Sequence, residues 1–324
     1  MTDILSDAPH RVTLGASDLS VSRLALGGNV FGWTADRDAS FAVLDAYAAA
    51  GGNFVDTADV YSAWVPGNTG GESEVIIGEW LRTRGGRDGV VVATKVGAHP
   101  EAEGLSAATV RSATEASLRR LGLDHIDLLY THRDDLGTPV AEIVGVLDEL
   151  VKEGKVRAVA ASNIGADRLA ESLEHSAAEG LAAYVAVQPN YSLVSRGTYE
   201  GGLAKVVADH GLAAVPYYAL ASGFLTGKYR PGGPEVASAR AVGASRYLTE
   251  GRGLDVLDAL DRIAGERGAE LASVALAWVA AQPTVAAPIA SARTVEQLPA
   301  LLAGVRLELT AEELELLEAA SAVG

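Results

Sequence analysis

Residues 90–132 read VVVATKVGAHPEAEGLSAATVRSATEASLRRLGLDHIDLLYTH. The stretch begins with an apolar run rich in valine, Val90–Lys95, which has the length and composition of a strand. Apolar residues then recur at helical spacing over Ser106–Leu121, and a second apolar run follows at Ile126–His132. A strand, a helix and a second strand in this order indicate a parallel β-α-β unit.

The same unit repeats along the chain, because eight apolar runs alternate with segments of helical spacing. This alternation predicts an α/β protein with a (β/α)8 fold, the TIM barrel, in which eight parallel strands form a barrel with long loops at its C-terminal face. A doubly wound open sheet gives much the same alternation and is the alternative. The predicted strands are Leu24–Gly27, Phe54–Asp56, Val90–Lys95, Ile126–His132, Val156–Ser162, Tyr184–Gln188, Ala213–Tyr217 and Val285–Ile289. The predicted helices include Arg37–Ala50, Glu72–Arg82, Ser106–Leu121, Pro139–Lys152, Asp167–Glu179, Leu203–His210 and Ala272–Ala281.

Residues typical of helix ends support these bounds. Asp36, Ser106 and Asp167 stand where a side-chain oxygen can accept from the exposed amides of a first helical turn. Gly122 and Gly154 stand where a left-handed residue can end a helix.

Two features favour the closed barrel over the open sheet. No predicted strand is followed by GxGxxG, the pyrophosphate turn of a dinucleotide-binding sheet. Polar residues also gather at the ends of predicted strands, and a barrel brings all strand ends to one mouth. These residues are Asp56, Lys95, His132, Ser162, Gln188 and Tyr217.

Composition limits the functions that are open to the chain. Its 324 residues are 48% hydrophobic and carry a formal net charge of -16, which would repel phosphate backbones and anionic membrane surfaces. We therefore expect neither nucleic acid nor a membrane as a partner. No linker rich in Pro, Gly or Ser interrupts the middle of the chain, which predicts one domain over residues 1–324.

Signals for metal binding and for targeting are absent from the sequence. It has no cysteine, and its six histidines never pair at i, i+3 or i, i+4, so we expect no metal site. The amino-terminal stretch MTDILSDAPHRVTLG lacks a basic segment followed by an apolar one, and no run reaches the roughly 18 apolar residues of a membrane span. A cytoplasmic location is the expectation.

Three segments depart from the repeat. Tyr61–Gly71 and Tyr229–Gly251 follow the second and seventh strands, which predicts that they cover the barrel mouth. In the tail, Thr310–Gly324, a threonine precedes Glu313 by three residues and apolar positions follow at helical spacing, which predicts an outer helix.

Four residues at three successive strand ends could together carry proton chemistry: Asp56, Tyr61, Lys95 and His132. A tyrosine is a weak acid, with an ordinary pKa of about 10. A lysine beside it would lower that pKa, an aspartate would keep the lysine charged and aimed, and a neutral histidine could orient a carbonyl group. These groups can protonate an oxygen while a hydride reaches its carbon.

Each of the four residues taken alone has an ordinary structural explanation. Asp56 could cap a turn, Tyr61 could be a loop aromatic, Lys95 a surface cation and His132 a half-buried histidine. Only their joint position at one predicted barrel mouth favours the functional interpretation.

The sequence resembles the aldo-keto reductase superfamily from about Leu14 to Leu317, and it is most similar to the bacterial branches that resemble potassium-channel β subunits. The resemblance rests on SRLALGGNVFGW, GGNFVDTADVYS, ESEVIIGEWL, VVVATKVG, RSATEASLRRLGLDHIDLLYTHRDD, AASNI, VQPNYSLV, ALASGFLTGKY and RTVEQL. It implies a catalytic tetrad of Asp56, Tyr61, Lys95 and His132, with Tyr61 as the proton donor in reduction.

The resemblance also implies an NADPH site. It places two residues near the nicotinamide ribose, three on the carboxamide, one aromatic on the ring, a turn along the pyrophosphate, and three residues at the adenosine end beneath a covering arginine. Arginine suits a 2′-phosphate because its planar donor fork can bind two oxygens. The residues are Gly28 and Asn29 at the ribose; Ser162, Asn163 and Gln188 at the carboxamide; Tyr217 at the ring; Leu220, Ser222, Gly223 and Lys228 at the pyrophosphate; and Ser291, Arg293 and Gln297 at the adenosine end, with Arg240 as the covering arginine.

The chain departs from the family pattern at the adenosine end and after the stacking tyrosine. Ala300 and Leu301 replace an often-found Glu and Asn, and Tyr218-Ala219 replaces a common Ser-Pro. The GFLTGKY stretch is not a P-loop, since it has three residues between its glycines and Tyr229 where magnesium binding needs Ser or Thr. A nucleotide hydrolase is therefore disfavoured.

The substrate pocket is expected between Trp33, Trp64, Tyr61 and His132, although core packing explains the tryptophans nearly as well. The leading function is NADPH-dependent reduction of a small aldehyde, ketone or keto-sugar. The alternative is a cofactor-binding regulatory or sensor subunit with little turnover, and a metal-dependent barrel hydrolase is disfavoured because metal ligands are lacking. Nothing in the sequence indicates an oligomer.

Overall fold

The computed structural model describes residues 11–322. Its helices, with short turns omitted, are α1 (Arg37–Ala49), α2 (Glu72–Thr83), α3 (Ala107–Leu121), α4 (Val140–Lys152), α5 (Ala166–Glu179), α6 (Gly202–Asp209), α7 (Ala241–Ser245), α8 (Gly253–Arg267), α9 (Leu271–Ala281), α10 (Leu298–Gly304) and α11 (Ala311–Ser321). Its strands are β1 (Arg11–Thr13), β2 (Ser20–Ser22), β3 (Ala25–Gly27), β4 (Phe54–Asp56), β5 (Val91–Val96), β6 (Ala98–His99), β7 (Ala102–Glu103), β8 (Ile126–Thr131), β9 (Val156–Ser162), β10 (Tyr184–Gln188), β11 (Ala213–Ala214) and β12 (Ile289–Ala290).

Eight parallel strands form the central sheet in the order β11-β10-β9-β8-β5-β4-β3-β12. The two edges of this sheet are joined by the chain that leads into β12. The Ala286 amide donates to the Ala214 carbonyl at 2.9 Å, and the Ile289 amide donates to the Pro216 carbonyl at 2.8 Å. The sheet thus closes on itself, which confirms the predicted (β/α)8 barrel and excludes the open sheet.

The last two barrel strands are shorter than predicted. The sequence favoured Ala213–Tyr217 and Val285–Ile289, whereas the regular ladders are Ala213–Ala214 and Ile289–Ala290, so only Ile289 of the predicted last strand lies in β12. Pro216 and Pro288 interrupt the ladders because proline has no amide hydrogen to donate.

Helix bounds agree with prediction to within a residue or two. Asp36 and Ser106 accept from first-turn amides, as predicted. Gly122 adopts a left-handed conformation at the end of α3, with φ 65°. The predicted cap at Asp167 is wrong, because α5 begins one residue earlier after Gly165 and the aspartate lies inside the first turn. The sequence patterns did not predict α7, α8, α10 or the β1-β2 and β6-β7 hairpins.

The hydrophobic residues form an inner and an outer layer of the core. The outer layer lies between the sheet and the surrounding helices, and the inner layer fills the barrel. Leu14, Leu19 and Val21 of the β1-β2 hairpin belong to the inner layer, together with Phe54 and Val91 at the starts of their strands. The hairpin therefore closes the N-terminal end of the barrel with apolar side chains.

The three irregular segments lie where the sequence predicted. The tail forms α11, whose Thr310 and Glu313 make a reciprocal capping box, and this helix packs on the outer helix α8. Residues 229–251, the covering segment, contain the short helix α7.

No helix within residues 11–322 is long and apolar enough to cross a membrane. The expectation drawn from the stretch MTDILSDAPHRVTLG falls mainly on residues 1–10, which lie outside the described part of the chain.

Candidate functional site

Lys95 lies inside the barrel near the end of β5 and is 1% exposed. Its Nζ lies 2.6 Å from Asp56 Oδ2, 2.8 Å from the Thr57 carbonyl oxygen and 2.9 Å from Tyr61 Oη. An ammonium group has three protons, and these three acceptors use all of them. Lys95 therefore donates to Tyr61, which leaves the hydroxyl proton of Tyr61 free to point elsewhere.

Asp56, the last residue of β4, is held through both of its carboxylate oxygens. Oδ2 accepts from Lys95, and Oδ1 accepts from Gln188 Nε2 at 2.8 Å. Gln188 ends β10 on the opposite side of the barrel, so the closure of the sheet is needed to complete this contact. The carboxylate is thereby fixed in one orientation and directs Lys95 towards Tyr61.

The tyrosine proton is held more tightly than the sequence suggested. Burial, followed by the negative charge of Asp56, raises the pKa of Tyr61 well above its ordinary value. The expectation of a lowered pKa is wrong, because burial and the negative charge of Asp56 disfavour the phenolate more than nearby positive charge favours it. Tyr61 consequently keeps its proton at neutral pH and has it available to donate.

His132 directly follows β8, and its ring centroid lies 6.1 Å from that of Tyr61. Its backbone amide donates to the Val96 carbonyl at 2.9 Å, which fixes the chain at this point. Burial, together with the positive charges of Lys95 and Arg133, lowers the pKa of His132 to about 3. The imidazole is therefore neutral under ordinary conditions and can hydrogen-bond to an uncharged oxygen.

A second group of buried charges lies near Lys95 and Asp56. Glu74 is fully buried and accepts from Thr94 Oγ1 at 2.5 Å and from Arg120 Nε at 2.6 Å. Burial, followed by the charge of Glu74, raises the pKa of the buried Asp59 to about 7. A large fraction of Asp59 is thus protonated at neutral pH, which limits the negative charge in this part of the barrel.

A cavity of about 970 Å³ opens at the carboxyl ends of the strands. Its size suits a cofactor together with a small substrate. Most of the residues proposed from the sequence line it: Asn29, Trp33, Asp56, Tyr61, Trp64, His132, Ser162, Gln188, Tyr217, Leu220, Ser222, Gly223, Lys228, Arg240, Ser291, Arg293 and Gln297.

Gly28 and Lys95 do not line this cavity. Gly28 is buried, and a Cβ there would lie 2.8 Å from Ser73 Oγ, so the backbone is packed against α2 rather than open to a ligand. Its neighbour Gly27 lines the cavity instead. Lys95 lies below the cavity floor, and its effect on a ligand must pass through Tyr61.

Asn163 also lies apart from the cavity, in a left-handed conformation with φ 50°. Its side chain accepts from Tyr217 Oη at 2.7 Å and donates to the His132 carbonyl at 2.9 Å. It lines a smaller pocket of about 250 Å³ that also contacts Tyr217. Its polar atoms are thus already engaged by neighbouring residues.

The lining residues that were not proposed from the sequence include Arg133, Tyr218 and Glu270. Tyr218 has φ 56°, is 47% exposed, and places its ring 5.1 Å from the ring of Tyr217. Arg133 directly follows His132, so its position at a strand end was a usable signal.

The turn at residues 220–228 brings backbone and positive charge together. Ser222 and Gly223 adopt left-handed conformations with φ 58° and 90°. A Cβ at Gly223 would lie 3.3 Å from Lys228 Nζ, so the ammonium group lies directly beside the backbone of the turn. Such a turn can hold an anion close to main-chain atoms.

Lys228, Arg240 and Arg293 form a cluster of cations on the cavity wall, and none of them pairs with a carboxylate among residues 11–322. Burial, followed by the charges of Arg293 and Arg240, lowers the pKa of Lys228. Burial is also the main cause that lowers the pKa of Arg240. In a chain of net charge -16, unpaired cations this close together indicate a site for an anion.

The covering segment crosses the cavity. Arg240 Nη2 donates to Asn29 Oδ1 at 3.0 Å, and Ser291 Oγ lies 2.8 Å from the same oxygen. The guanidinium also lies 5.4 Å from the centre of the Trp33 ring. These contacts connect the segment after the seventh strand to the turns after the first and last strands.

The described residues include no group of three His, Asp or Glu side chains that could hold a metal ion.

A family model described as "Aldo/keto reductase family" matches residues 23–322. The oxidoreductase YrpG of Bacillus subtilis is 35% identical over 313 residues, which cover 94% of this chain and 93% of that protein. A "Probable voltage-gated potassium channel subunit beta" of Oryza sativa is 34% identical over 88% of each chain. The NADH-specific methylglyoxal reductase of Escherichia coli is 32% identical over 93% of this chain and 94% of that protein.

Proposed function

Because the chain belongs to the aldo/keto reductase family, whose members are oxidoreductases that use nicotinamide cofactors on small carbonyl compounds, we propose that it reduces an aldehyde, ketone or keto-sugar with NADPH. Tyr61 is the general acid of this proposal, and residues 1–324 form one catalytic domain. The observation that supports it most directly is the set of hydrogen bonds made by the Lys95 ammonium. All three of its protons are donated to fixed acceptors, one of which is Tyr61 Oη, so the hydroxyl proton of Tyr61 remains available to a substrate.

In the proposed reaction the cofactor provides the hydride and the chain provides the proton. Bound NADPH supplies a hydride to the carbonyl carbon. Tyr61 donates its proton to the carbonyl oxygen, so the products are the alcohol and, for a moment, a phenolate. Lys95 stabilises that phenolate through the hydrogen bond already present, and Asp56 holds Lys95 in place. The neutral His132 orients the carbonyl oxygen towards Tyr61.

The residues of the cavity fit a phosphorylated dinucleotide. The turn at residues 220–228 and Lys228 suit a pyrophosphate, Tyr217 offers a ring face, and the side chains of Ser162 and Gln188 suit a carboxamide. Arg293, with Arg240, supplies the charge that a 2′-phosphate needs. A relative with NADH specificity shows that the family accepts either cofactor, so this preference rests on the cations of this chain.

Replacement of Arg293 by alanine is expected to weaken NADPH binding much more than NADH binding. Loss of a charged hydrogen bond costs about 1.5 to 3 kcal/mol, which corresponds to roughly a tenfold to hundredfold rise in Kd. The two dissociation constants are measured by fluorescence titration. Arg262→Ala, which removes an exposed arginine paired with Glu266, serves as the control and should change neither. Equal affinity of the unaltered protein for both cofactors would contradict the proposal.

The experiment that tests the function is a panel of small aldehydes, ketones and keto-sugars, followed through the absorbance of NADPH. An enzyme should oxidise NADPH steadily and in proportion to protein concentration. The alternative, a regulatory or sensor subunit, is favoured by the similarity to the rice protein whose name assigns it to a potassium channel. In that case the protein should bind NADPH tightly and complete only a slow single turnover with every member of the panel.

A further inference from the structure

We propose that the substrate is an aromatic carbonyl compound that carries a carboxylate, and that Arg133 binds this carboxylate. The inference rests on the proposed function, since it names the substrate class of the same cavity. The simplest compound of this kind is an aryl 2-keto acid, in which the carbonyl group lies between the ring and the carboxylate.

Four cations among the described residues lie around the cavity. Lys228, Arg240, Arg293 and Arg133 all line it, and none of them pairs with a carboxylate in the described part of the chain. After burial, the charges of Arg293 and Arg240 lower the pKa of Lys228, so these three cations lie near one another, and they fit the three phosphates of NADPH. Arg133 acts on His132 and Tyr217 at the reacting end, where the cofactor has no phosphate. Arg240 also acts on Tyr61, but its guanidinium already donates to Asn29. One unpaired cation is therefore left for the substrate.

The carboxylates that follow Arg133 in the chain, Asp134 and Asp135, are engaged elsewhere. Asp134 accepts from Arg168 Nε at 3.2 Å and from the Asp135 amide at 2.9 Å. Asp135 accepts from the Leu105 amide at 2.9 Å and from Thr138 Oγ1 at 2.7 Å. The residues that would ordinarily pair with Arg133 thus fix the loop, and none of the described carboxylates forms an ion pair with this arginine.

Aromatic side chains lie next to the proton donor on the cavity wall. The ring centroids of Trp33 and Trp64 lie 5.5 Å apart, those of Trp64 and Tyr61 lie 6.2 Å apart, and those of Tyr61 and His132 lie 6.1 Å apart. Arg133 follows His132 in the chain. Aromatic faces beside the proton donor, and the unpaired cation Arg133 on the lining of the same cavity, are the groups that a ring, a carbonyl and a carboxylate need.

The reaction leaves the carboxylate unchanged. Hydride adds to the ketone carbon, the proton of Tyr61 adds to the ketone oxygen, and an aryl 2-hydroxy acid results. The guanidinium would hold the carboxylate through charged hydrogen bonds, and its planar fork allows two of them at once. Arg133 then determines specificity without touching the reacting atoms.

Phenylglyoxylate and its methyl ester test the proposal, because they share the ring and the ketone and differ in charge. We expect Arg133→Gln to lower kcat/KM for the acid by roughly tenfold to a hundredfold, mainly through KM, and to lower that for the ester much less. Arg133→Lys should recover part of the loss. Arg262→Gln, far from the cavity, is the control. An equal fall for acid and ester in Arg133→Gln would overturn the proposal.

A binding experiment gives a result even if the protein turns over neither compound. Mandelate and methyl mandelate, the corresponding products, are titrated by calorimetry into protein saturated with NADP⁺. We expect the acid to bind more tightly than the ester, and Arg133→Gln to remove that difference. Absence of turnover with every carbonyl would contradict the proposed enzyme, whereas an unchanged preference for mandelate in Arg133→Gln would contradict the role of Arg133 alone.

Discussion

Tyr61→Phe is expected to slow the chemical step by about 10²- to 10⁴-fold, the range typical of general acid catalysis. The substitution removes one hydroxyl, which accepts from Lys95 at 2.9 Å and otherwise donates to none of the described residues. The ring contacts with Trp64 and His132 remain, so packing should persist. The measurement is single-turnover oxidation of NADPH at saturating cofactor, which separates chemistry from product release.

Two controls accompany this measurement. The NADPH dissociation constant, from fluorescence titration, should change little, because the hydroxyl of Tyr61 is not among the groups proposed to hold the cofactor. Tyr191→Phe removes a hydroxyl that hydrogen-bonds to Glu200 outside the cavity, and it should leave the rate nearly unchanged. A near-native rate in Tyr61→Phe would refute the assignment of the proton donor and direct attention to His132.

Lys95→Met is expected to be at least as damaging, and to destabilise the protein as well. It removes the group that would stabilise a phenolate, and it leaves the buried Asp56 with only the Gln188 hydrogen bond. Breaking a buried ion pair from one side costs about 3 to 5 kcal/mol. The free energy of unfolding is measured by denaturant titration, and single-turnover oxidation again gives the rate.

A second substitution separates the two effects of Lys95→Met. Adding Asp56→Asn removes the stranded charge, so the double variant should regain much of the stability and none of the activity. Lys155→Met is the control for losing a lysine, since Lys155 forms surface ion pairs with Glu115 and Glu153 that are worth at most about 1 kcal/mol. Recovery of activity in the double variant would mean that Lys95 contributes only to folding.

The sequence was sufficient for the barrel and for the position of the four proposed catalytic residues. Strand periodicity fixes which side chains come last in each strand, and a parallel barrel brings those ends together whatever the helices outside do. For this reason Lys95 Nζ lies 2.6 Å from Asp56 Oδ2, although the two residues are 39 positions apart in the chain.

Other features depended on packing that no local pattern encodes. The raised pKa of Tyr61 follows from how completely the surrounding chain removes water, which one segment cannot reveal. The left-handed conformation of Asn163 and its hydrogen bond from Tyr217 were not predicted from the sequence. The unpaired state of Arg133 depends on where Asp134 and Asp135 turn their side chains, since sequence alone would pair neighbours of opposite charge.

The apolar hairpin at the opposite end of the barrel separates two properties that often compete in enzymes. Leu14, Leu19 and Val21 contribute buried hydrophobic area, and they lie at the end of the barrel away from the cavity. Substitutions there change the free energy of unfolding without moving a group that touches a ligand. Stability can thus be adjusted at one end of the barrel and specificity at the other. If a substitution at a residue such as Arg133 lowers the free energy of unfolding, a stabilising substitution in the hairpin can restore it.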